Sequence, residues 1–212
     1  MLLNLPVDPL TLLAFIPAGL ALNLTPGADM MFCLGQGLRS GRRAAMAANV
    51  GIAVGGMVHT TLAALGLGAL VAAHPAAFEA IRWLGVGYLL WLALAALRSR
   101  PIADATVAPA SAGRVFWQAL LVNLLNPKVI LFILAFLPQF VDPARPVLPQ
   151  FLTLGAVFSI GGLLVNGAVG LFAGSIGLHM ARSAGLSRWL ARISATIFGA
   201  LALRLALMSR SP

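Results

Sequence analysis

Two proline-containing segments within long apolar stretches hold the side chains best suited to binding a charged solute. The first contains Asp29 and the second contains Lys128, and each charge closely follows a proline. An ionisable side chain inside a membrane segment is costly, and it commonly marks a substrate or ion pathway and has a partner. We therefore expect Asp29 and Lys128 to lie at one site, where a carboxylate and an ammonium group meet opposite charges.

The prolines predict that a helix ends and begins again within each segment. Pro26 lies between Thr25 and Gly27, and Pro127 follows Asn126. A side-chain oxygen followed by proline is typical of a helix start, because the oxygen caps free N–H groups and proline loses nothing at the first helical position. Helix ends of this kind attract anions such as carboxylates. Interrupted helices at corresponding places in two halves are the best sequence indication of a transporter binding site.

Further polar side chains lie at membrane depth, among them one histidine and several asparagines. His59 is within an apolar segment and can change charge near physiological pH, so it is a candidate proton relay, with a core histidine as the alternative. Asn123 and Asn166 bond either a neighbouring helix or a ligand. For Asp29 and Lys128, the alternative to binding is an ion pair that only fixes the two halves in register.

Composition places these segments in a membrane. Of 212 residues, 60% are hydrophobic and 9% are charged, whereas soluble domains carry about 25% charged residues. The amino-terminal stretch lacks the basic residues that a cleavable signal needs, so we expect it to remain as the first span. Apolar windows of roughly 20 residues predict six spans, near 9–38, 44–73, 76–97, 115–139, 149–176 and 187–208.

The distribution of positive charge predicts the orientation. The net charge is +9, but the cations lie singly or in small groups between apolar runs. We therefore expect loops beside anionic lipid and no nucleic-acid partner. The positive-inside rule places the loops after the first, third and fifth spans in the cytoplasm and both termini outside. These loops, with the start of the sixth span, contain Arg39, Arg42, Arg43, Arg98, Arg100, Arg114, Arg182, Arg188 and Arg192.

These features predict an all-α integral membrane protein of six transmembrane helices, arranged as two inverted three-helix repeats with helices 1 and 4 broken. Three spans per half make the two halves cross the bilayer in opposite senses. The chain would be a single membrane domain (1–212), with repeats at 1–98 and 114–212 and an Ala-, Pro- and Ser-rich linker at 99–113. The restarted helices would then point their amino ends toward each other near the midplane.

Sequence signatures of enzymes, metal sites and cofactors are lacking. There is no His/Glu/Cys set at metal-ligand spacing, no phosphate-binding loop and no nucleophile elbow. The single Cys33 excludes an internal disulfide. Without a nucleotide site, uphill transport would draw on an ion gradient, and Asp29, Lys128 and His59 are the side chains placed to sense protons. We therefore expect a protein that is not an enzyme and that is coupled to protons.

The sequences around both breaks resemble those of the LysE/RhtB family of bacterial amino-acid exporters, and the similarity covers essentially the whole chain. It is carried by Leu24-Thr25-Pro26-Gly27-Ala28-Asp29, Gly37-x-x-x-Gly41-Arg42-Arg43, Asn123-Leu124-Leu125-Asn126-Pro127-Lys128 and Phe136-Leu137-Pro138-Gln139-Phe140-Val141-Asp142. Ala28 departs from the family, because many members have proline there. The resemblance implies efflux of amino acids or close derivatives across the inner membrane by proton antiport, often as a homodimer. It implies a central cavity formed by Thr25, Pro26, Gly27, Asp29, Asn126, Pro127 and Lys128.

The leading hypothesis is an exporter of a small zwitterion that works by alternating access around the two breaks. The substrate ammonium would meet Asp29, the carboxylate would meet a half-helix end or Lys128, and protonation of Asp29 or His59 would switch the affinity. Neutral or aliphatic amino acids are favoured, because Asp29 is the only carboxylate at membrane depth. The alternatives are an exporter of another small solute or ion, a non-transporting membrane partner protein, and an intramembrane enzyme.

Overall fold

Helices form all the regular structure in the described part of the chain. The computed structural model describes residues 6–73, 111–173 and 183–207, and residues 83–84, 86–87, 90–91 and 93–94. Much of the third predicted span and most of the predicted linker lie outside these residues. The helices are α1 (Pro9–Leu24), α2 (Ala28–Ala73), α3 (Ala112–Leu124), α4 (Pro127–Leu131), a π-helix (Phe132–Phe136), a 3-10 helix (Leu137–Phe140), α5 (Val147–Leu171) and α6 (Ala184–Leu207).

Membrane-type helices occur on both sides of the predicted linker. By length and composition, the segment Ala28–Gly66 of α2 and the whole of α5 each contain a stretch apolar enough to cross a bilayer. A third span results if α3 and the segment Pro127–Phe140 are counted together, since they form a pair bent by 52°. α1 is apolar but shorter, with 16 residues. The all-helical, membrane-type character that the sequence predicts is therefore confirmed for the described residues.

A single residue, Gly41, interrupts α2. Its backbone has φ 79° and ψ −177°, which is not helical. Glycine adopts positive φ without the steric cost that a Cβ atom imposes. The sequence predicts a loop here, flanked by Arg39, Arg42 and Arg43, and the structure reduces that loop to one non-helical residue. We call residues 28–40 the first leg of α2 and residues 42–73 its second leg.

The two legs of α2 fold back on each other. A methyl group at Gly170 of α5 would lie 3.3 Å from the carbonyl oxygen of Cys33 and 2.9 Å from the Cβ atom of Ala45. A straight helix would separate residues 33 and 45 by about 18 Å. Because both contact one glycine, α2 is a helical hairpin that packs against α5.

Glycines also bring the second leg of α2 close to α3. A methyl group at Gly51 would overlap the carbonyl oxygen of Phe116 and lie 3.0 Å from the Cβ atom of Ala119. One turn later, a methyl group at Gly55 would lie 3.0 Å from the Cβ atom of Asn123. Small residues at this spacing allow helix backbones to approach closely in membranes. The contact brings the second leg against the carboxyl end of α3, where the second break begins.

A cluster of phenylalanine rings joins α1 to the helices after the second break and to α5. The ring of Phe15 meets that of Phe140 edge-on, with centroids 5.2 Å apart, and the ring of Phe132 stacks on that of Phe158 at 5.0 Å. Phe136 lies between them, 4.9 Å from Phe132 and 4.9 Å from Phe140. All five are buried, so this apolar core holds the two broken regions side by side.

Candidate functional site

The first break lies between α1 and α2. Thr25 follows the last residue of α1, and its hydroxyl donates to the carbonyl oxygen of Ala21 at 2.6 Å. Pro26 and Gly27 are non-helical, and the Gly27 carbonyl accepts from the N–H of Met31 at 3.0 Å. The predicted Thr25 cap, with Pro26 as the first helical residue, is therefore wrong. A threonine hydroxyl reaches the carbonyl one turn back in its own helix, and α2 begins only after Gly27.

The second break has the predicted helix start. Asn126 precedes α4, and its Oδ1 atom accepts from the backbone N–H of Lys128 at 3.1 Å. Pro127 is the first residue of α4. The capping oxygen satisfies an N–H group that would otherwise be free, and proline is tolerated where no helical N–H bond is made. The expectation from the Asn126-Pro127 pair is confirmed.

Asn123 connects the second break to both legs of α2. Its Nδ2 atom donates to Oδ2 of Asp29 on the first leg at 2.8 Å. Its backbone carbonyl oxygen lies 3.3 Å from Nε2 of His59 on the second leg. A carbonyl oxygen only accepts hydrogen bonds, so Nε2 of His59 carries the hydrogen in this contact. Asn123 thereby brings two of the predicted site residues to one place.

The ammonium group of Lys128 reaches from α4 to the end of α1. It donates to the carbonyl oxygens of Leu22 at 3.0 Å and Thr25 at 2.8 Å. A methyl group at Gly27 would lie 3.1 Å from Nζ of Lys128, so glycine leaves the room this side chain occupies. The charges of Lys128 and Asp29 also act on each other. Lys128 therefore has main-chain partners that the sequence does not predict.

Three buried polar atoms at the junction of the breaks have no hydrogen-bond partner within the described residues. They are Oδ1 of Asp29, Oδ1 of Asn123 and Nδ2 of Asn126. The whole residues Asn123 and Asn126 are only 2% and 4% exposed. Buried polar groups are nearly always paired, and leaving one unpaired costs about 1–3 kcal/mol. The side chains of Asp29 and Asn126 lie close enough to interact with each other, but none of the three atoms makes a hydrogen bond of good geometry. Two acceptors and one donor therefore remain for a polar ligand to pair. We call Asp29, His59, Asn123, Asn126 and Lys128 the break cluster.

Asn166 is not joined to the break cluster by a hydrogen bond among the described residues. It is buried on α5. The next residue, Gly167, packs against Asn49, which donates from Nδ2 to the carbonyl oxygen of Leu163 at 2.8 Å. Asn49 thus joins the second leg of α2 to α5. In the described part of the chain, no three or more His, Cys, Asp or Glu side chains group closely enough to hold a metal ion.

Two contributors to this site were not predicted from the sequence. The first is the carbonyl of Leu22, which accepts a hydrogen bond from Lys128. The sequence does indicate that this carbonyl is free, because Pro26 lies four residues later and its nitrogen carries no hydrogen. The second is Gly55, which makes room for Asn123 and lies four residues before His59 on the same helix face.

Known proteins similar to this chain are bacterial membrane and efflux proteins. It is 39% identical over 145 residues to an uncharacterized membrane protein of Vibrio cholerae, which covers 68% of this chain and 71% of that protein. It is 36% identical over 154 residues to the homoserine/homoserine lactone efflux protein of Salmonella typhimurium (72% and 75%). It is 35% identical over 138 residues to the leucine efflux protein of Klebsiella pneumoniae (63% and 64%). No solved structure matches the chain significantly.

The family model for LysE type translocators matches residues 20–209, a range that contains both helix breaks and every residue of the break cluster. The resemblance carried by the two proline segments is confirmed by this match. The chain belongs to the LysE type translocator family.

Proposed function

We propose that this protein exports a neutral amino acid, or a close derivative, across the bacterial inner membrane. The observation that carries the proposal is the set of three unpaired buried atoms, contributed by Asp29, Asn123 and Asn126, where the two helix breaks meet. Membership of a translocator family and the names of the two efflux relatives support a transport role rather than an enzymatic one, and amino-acid-type substrates.

The unpaired atoms match the polar groups of a zwitterion. Oδ1 of Asp29 and Oδ1 of Asn123 accept hydrogen bonds, so they suit the substrate ammonium. Nδ2 of Asn126 donates, so it suits the carboxylate. The sequence predicts a half-helix end or Lys128 as the carboxylate partner, but the ammonium group of Lys128 donates to two carbonyls at the end of α1. We therefore assign the direct carboxylate contact to Asn126 and leave Lys128 as a nearby positive charge.

The proposed mechanism is alternating access around the break cluster. Six spans would form two inverted repeats, 1–98 and 114–212, with both termini outside and a homodimer as the assembled form. Contacts between residues far apart in sequence support this layout, since Asn123 binds Asp29 and Lys128 binds the end of α1. Thr25, Pro26, Gly27 and Pro127 would shape the breaks, and Asn166 would line the path away from the cluster.

Protons are the proposed coupling ion. Asp29 and His59 are ionisable, lie at membrane depth and are bridged by Asn123. A proton on Asp29 would cancel the charge that holds the substrate ammonium, so proton binding and substrate binding would compete. Such competition is what antiport requires, because each solute must bind to the state that has released the other.

The test of this function is transport by the purified protein in liposomes with an imposed pH gradient. We expect gradient-driven movement of neutral substrates such as leucine or homoserine, weaker movement of lysine, and loss of transport when a protonophore collapses the gradient. Protein-free liposomes are the control. Transport that ignores the pH gradient would exclude proton coupling. If folded protein moves no amino acid, the amino-acid proposal is wrong and an exporter of another solute becomes the better account.

Substitution of Asn126 by serine should separate the carboxylate contact from the helix cap. Serine caps a helix about as well as asparagine, so Asn126→Ser retains the cap but removes the Nδ2 donor. Homoserine has a carboxylate, whereas its lactone has only a neutral carbonyl, which accepts a weaker hydrogen bond. We expect kcat/KM for homoserine to fall about tenfold or more, from the loss of roughly 1.5–3 kcal/mol, and that for the lactone to fall less. Equal losses for both would contradict the assignment of Asn126.

A further inference from the structure

Each break proline leaves one carbonyl of the preceding helix without its usual donor. In an α-helix the carbonyl of residue i accepts from the N–H of residue i+4. For Leu22 that residue is Pro26, and for Asn123 it is Pro127. Proline has no N–H, so both carbonyls lose the same bond at the same position relative to the break.

A side chain from the other half of the chain contacts each of these two carbonyls. Lys128 follows the second break and donates to Leu22 before the first break, 106 positions away. His59 lies on α2, after the first break, and its Nε2 contacts the carbonyl of Asn123 before the second break, 64 positions away at 3.3 Å. The Asn123 carbonyl also accepts from the N–H of Asn126 at 3.0 Å, so His59 supplements a bond within the turn.

Glycines leave room for both contacts. Gly27 adjoins Nζ of Lys128, where a methyl group would lie 3.1 Å away. Gly51, Gly55 and His59 are spaced four residues apart, so they lie on the face of the second leg that meets α3. The close approach at the two glycines brings the imidazole within reach of the Asn123 carbonyl.

We propose that Lys128 and His59 are a reciprocal pair of positioning residues, each of which donates, from the opposite half of the chain, to a carbonyl whose usual helical donor the break proline removes. Neither break can then change its conformation without displacing a side chain that belongs to the other half. The contacts couple the two breaks mechanically. Their consequence for transport rests on the proposed function, whereas the contacts themselves can be tested by stability alone.

The test is a set of double-mutant cycles read as the apparent melting temperature in detergent. Pro127→Ala restores an N–H opposite the Asn123 carbonyl, and Pro26→Ala restores one opposite Leu22. We expect His59→Leu to lower the melting temperature much less in the Pro127→Ala background than in the native one, and Lys128→Met likewise in the Pro26→Ala background. The crossed pairs, His59→Leu with Pro26→Ala and Lys128→Met with Pro127→Ala, should show additive losses. Additive losses in matched and crossed pairs alike would overturn the proposal.

Conservative variants keep the test decisive if a proline variant does not fold. His59→Gln and Lys128→Arg retain a donor at similar reach, so each should recover most of the stability lost in His59→Leu and Lys128→Met. Equal losses of melting temperature in the donor-retaining and donor-lacking variants would refute the proposed roles of Lys128 and His59. In liposomes, the donor-lacking variants should lower kcat more than they raise KM, since these side chains position the breaks. If the protein moves no amino acid but shows the predicted stability pattern, the proposed function is wrong and the proposed contacts of Lys128 and His59 are still supported.

Discussion

Asp29→Asn is expected to lower kcat/KM for transport by about tenfold to a hundredfold while the protein remains folded. The Nδ2 atom of Asn123 donates to Oδ2 of Asp29, and an asparagine at 29 can accept that bond with its own oxygen. Its amide nitrogen then takes the place of the unpaired Oδ1 atom. A donor would face the substrate ammonium where an acceptor stood, and a hydrogen bond to a charged group is worth about 1.5–3 kcal/mol.

The control for this change is Asp142→Asn, which removes the same charge from a different place. Asp142 is an exposed residue before α5, where its Oδ1 accepts from the N–H of Ala144 and its Oδ2 pairs with Arg145. Exposed ion pairs contribute little to stability, so transport and melting temperature should stay close to native. Retention of the full transport rate by Asp29→Asn would remove Asp29 from the mechanism, although family membership would stand.

The second large effect is expected at Gly37, where alanine should sharply lower the melting temperature in detergent. A methyl group at Gly37 would overlap the carbonyl oxygen of Gly170 and lie 2.8 Å from the Cβ atom of Ala173. Since a backbone carbonyl cannot rotate away, the first leg of α2 and α5 must move apart. Overpacking of this kind costs about 1–3 kcal/mol or more.

Gly35→Ala is the matched control, because it adds the same methyl group to the same leg, two residues before Gly37. Nothing lies within 4 Å of a methyl group at Gly35. Alanine is preferred to glycine within a helix by roughly 0.5–1 kcal/mol, so this variant should match or exceed the native melting temperature. Similar melting temperatures for the two variants would mean that the first leg does not pack on α5 as described.

The prolines made the two breaks predictable, but the details of capping were predictable at only one of them. Asn126 and Pro127 form the expected helix start because the amide oxygen reaches the next free N–H. Thr25 does not, because its hydroxyl bonds Ala21 within α1. Both arrangements satisfy the rule that a polar group before a break finds a backbone partner. Whether the side chain bonds the helix before the break or the helix after it depends on local geometry that residue types do not specify.

The composition of the break cluster was largely predictable, whereas its connections were not. The cost of ionisable groups in a membrane identified Asp29, His59 and Lys128 from the sequence alone. Their contacts depend on how far the helices slide past one another, and that is determined by glycine contacts such as Gly55 against Asn123. The main-chain partners of Lys128 lie more than a hundred positions away, beyond the reach of any local pattern.

The contact between Lys128 and the end of α1 has a consequence for biosynthesis. The Leu22 carbonyl leaves the ribosome 106 residues before the side chain that satisfies it. An unsatisfied backbone group in the hydrocarbon core costs several kcal/mol. We therefore expect α1 to reach its final conformation in the membrane only after the second proline segment has been translated.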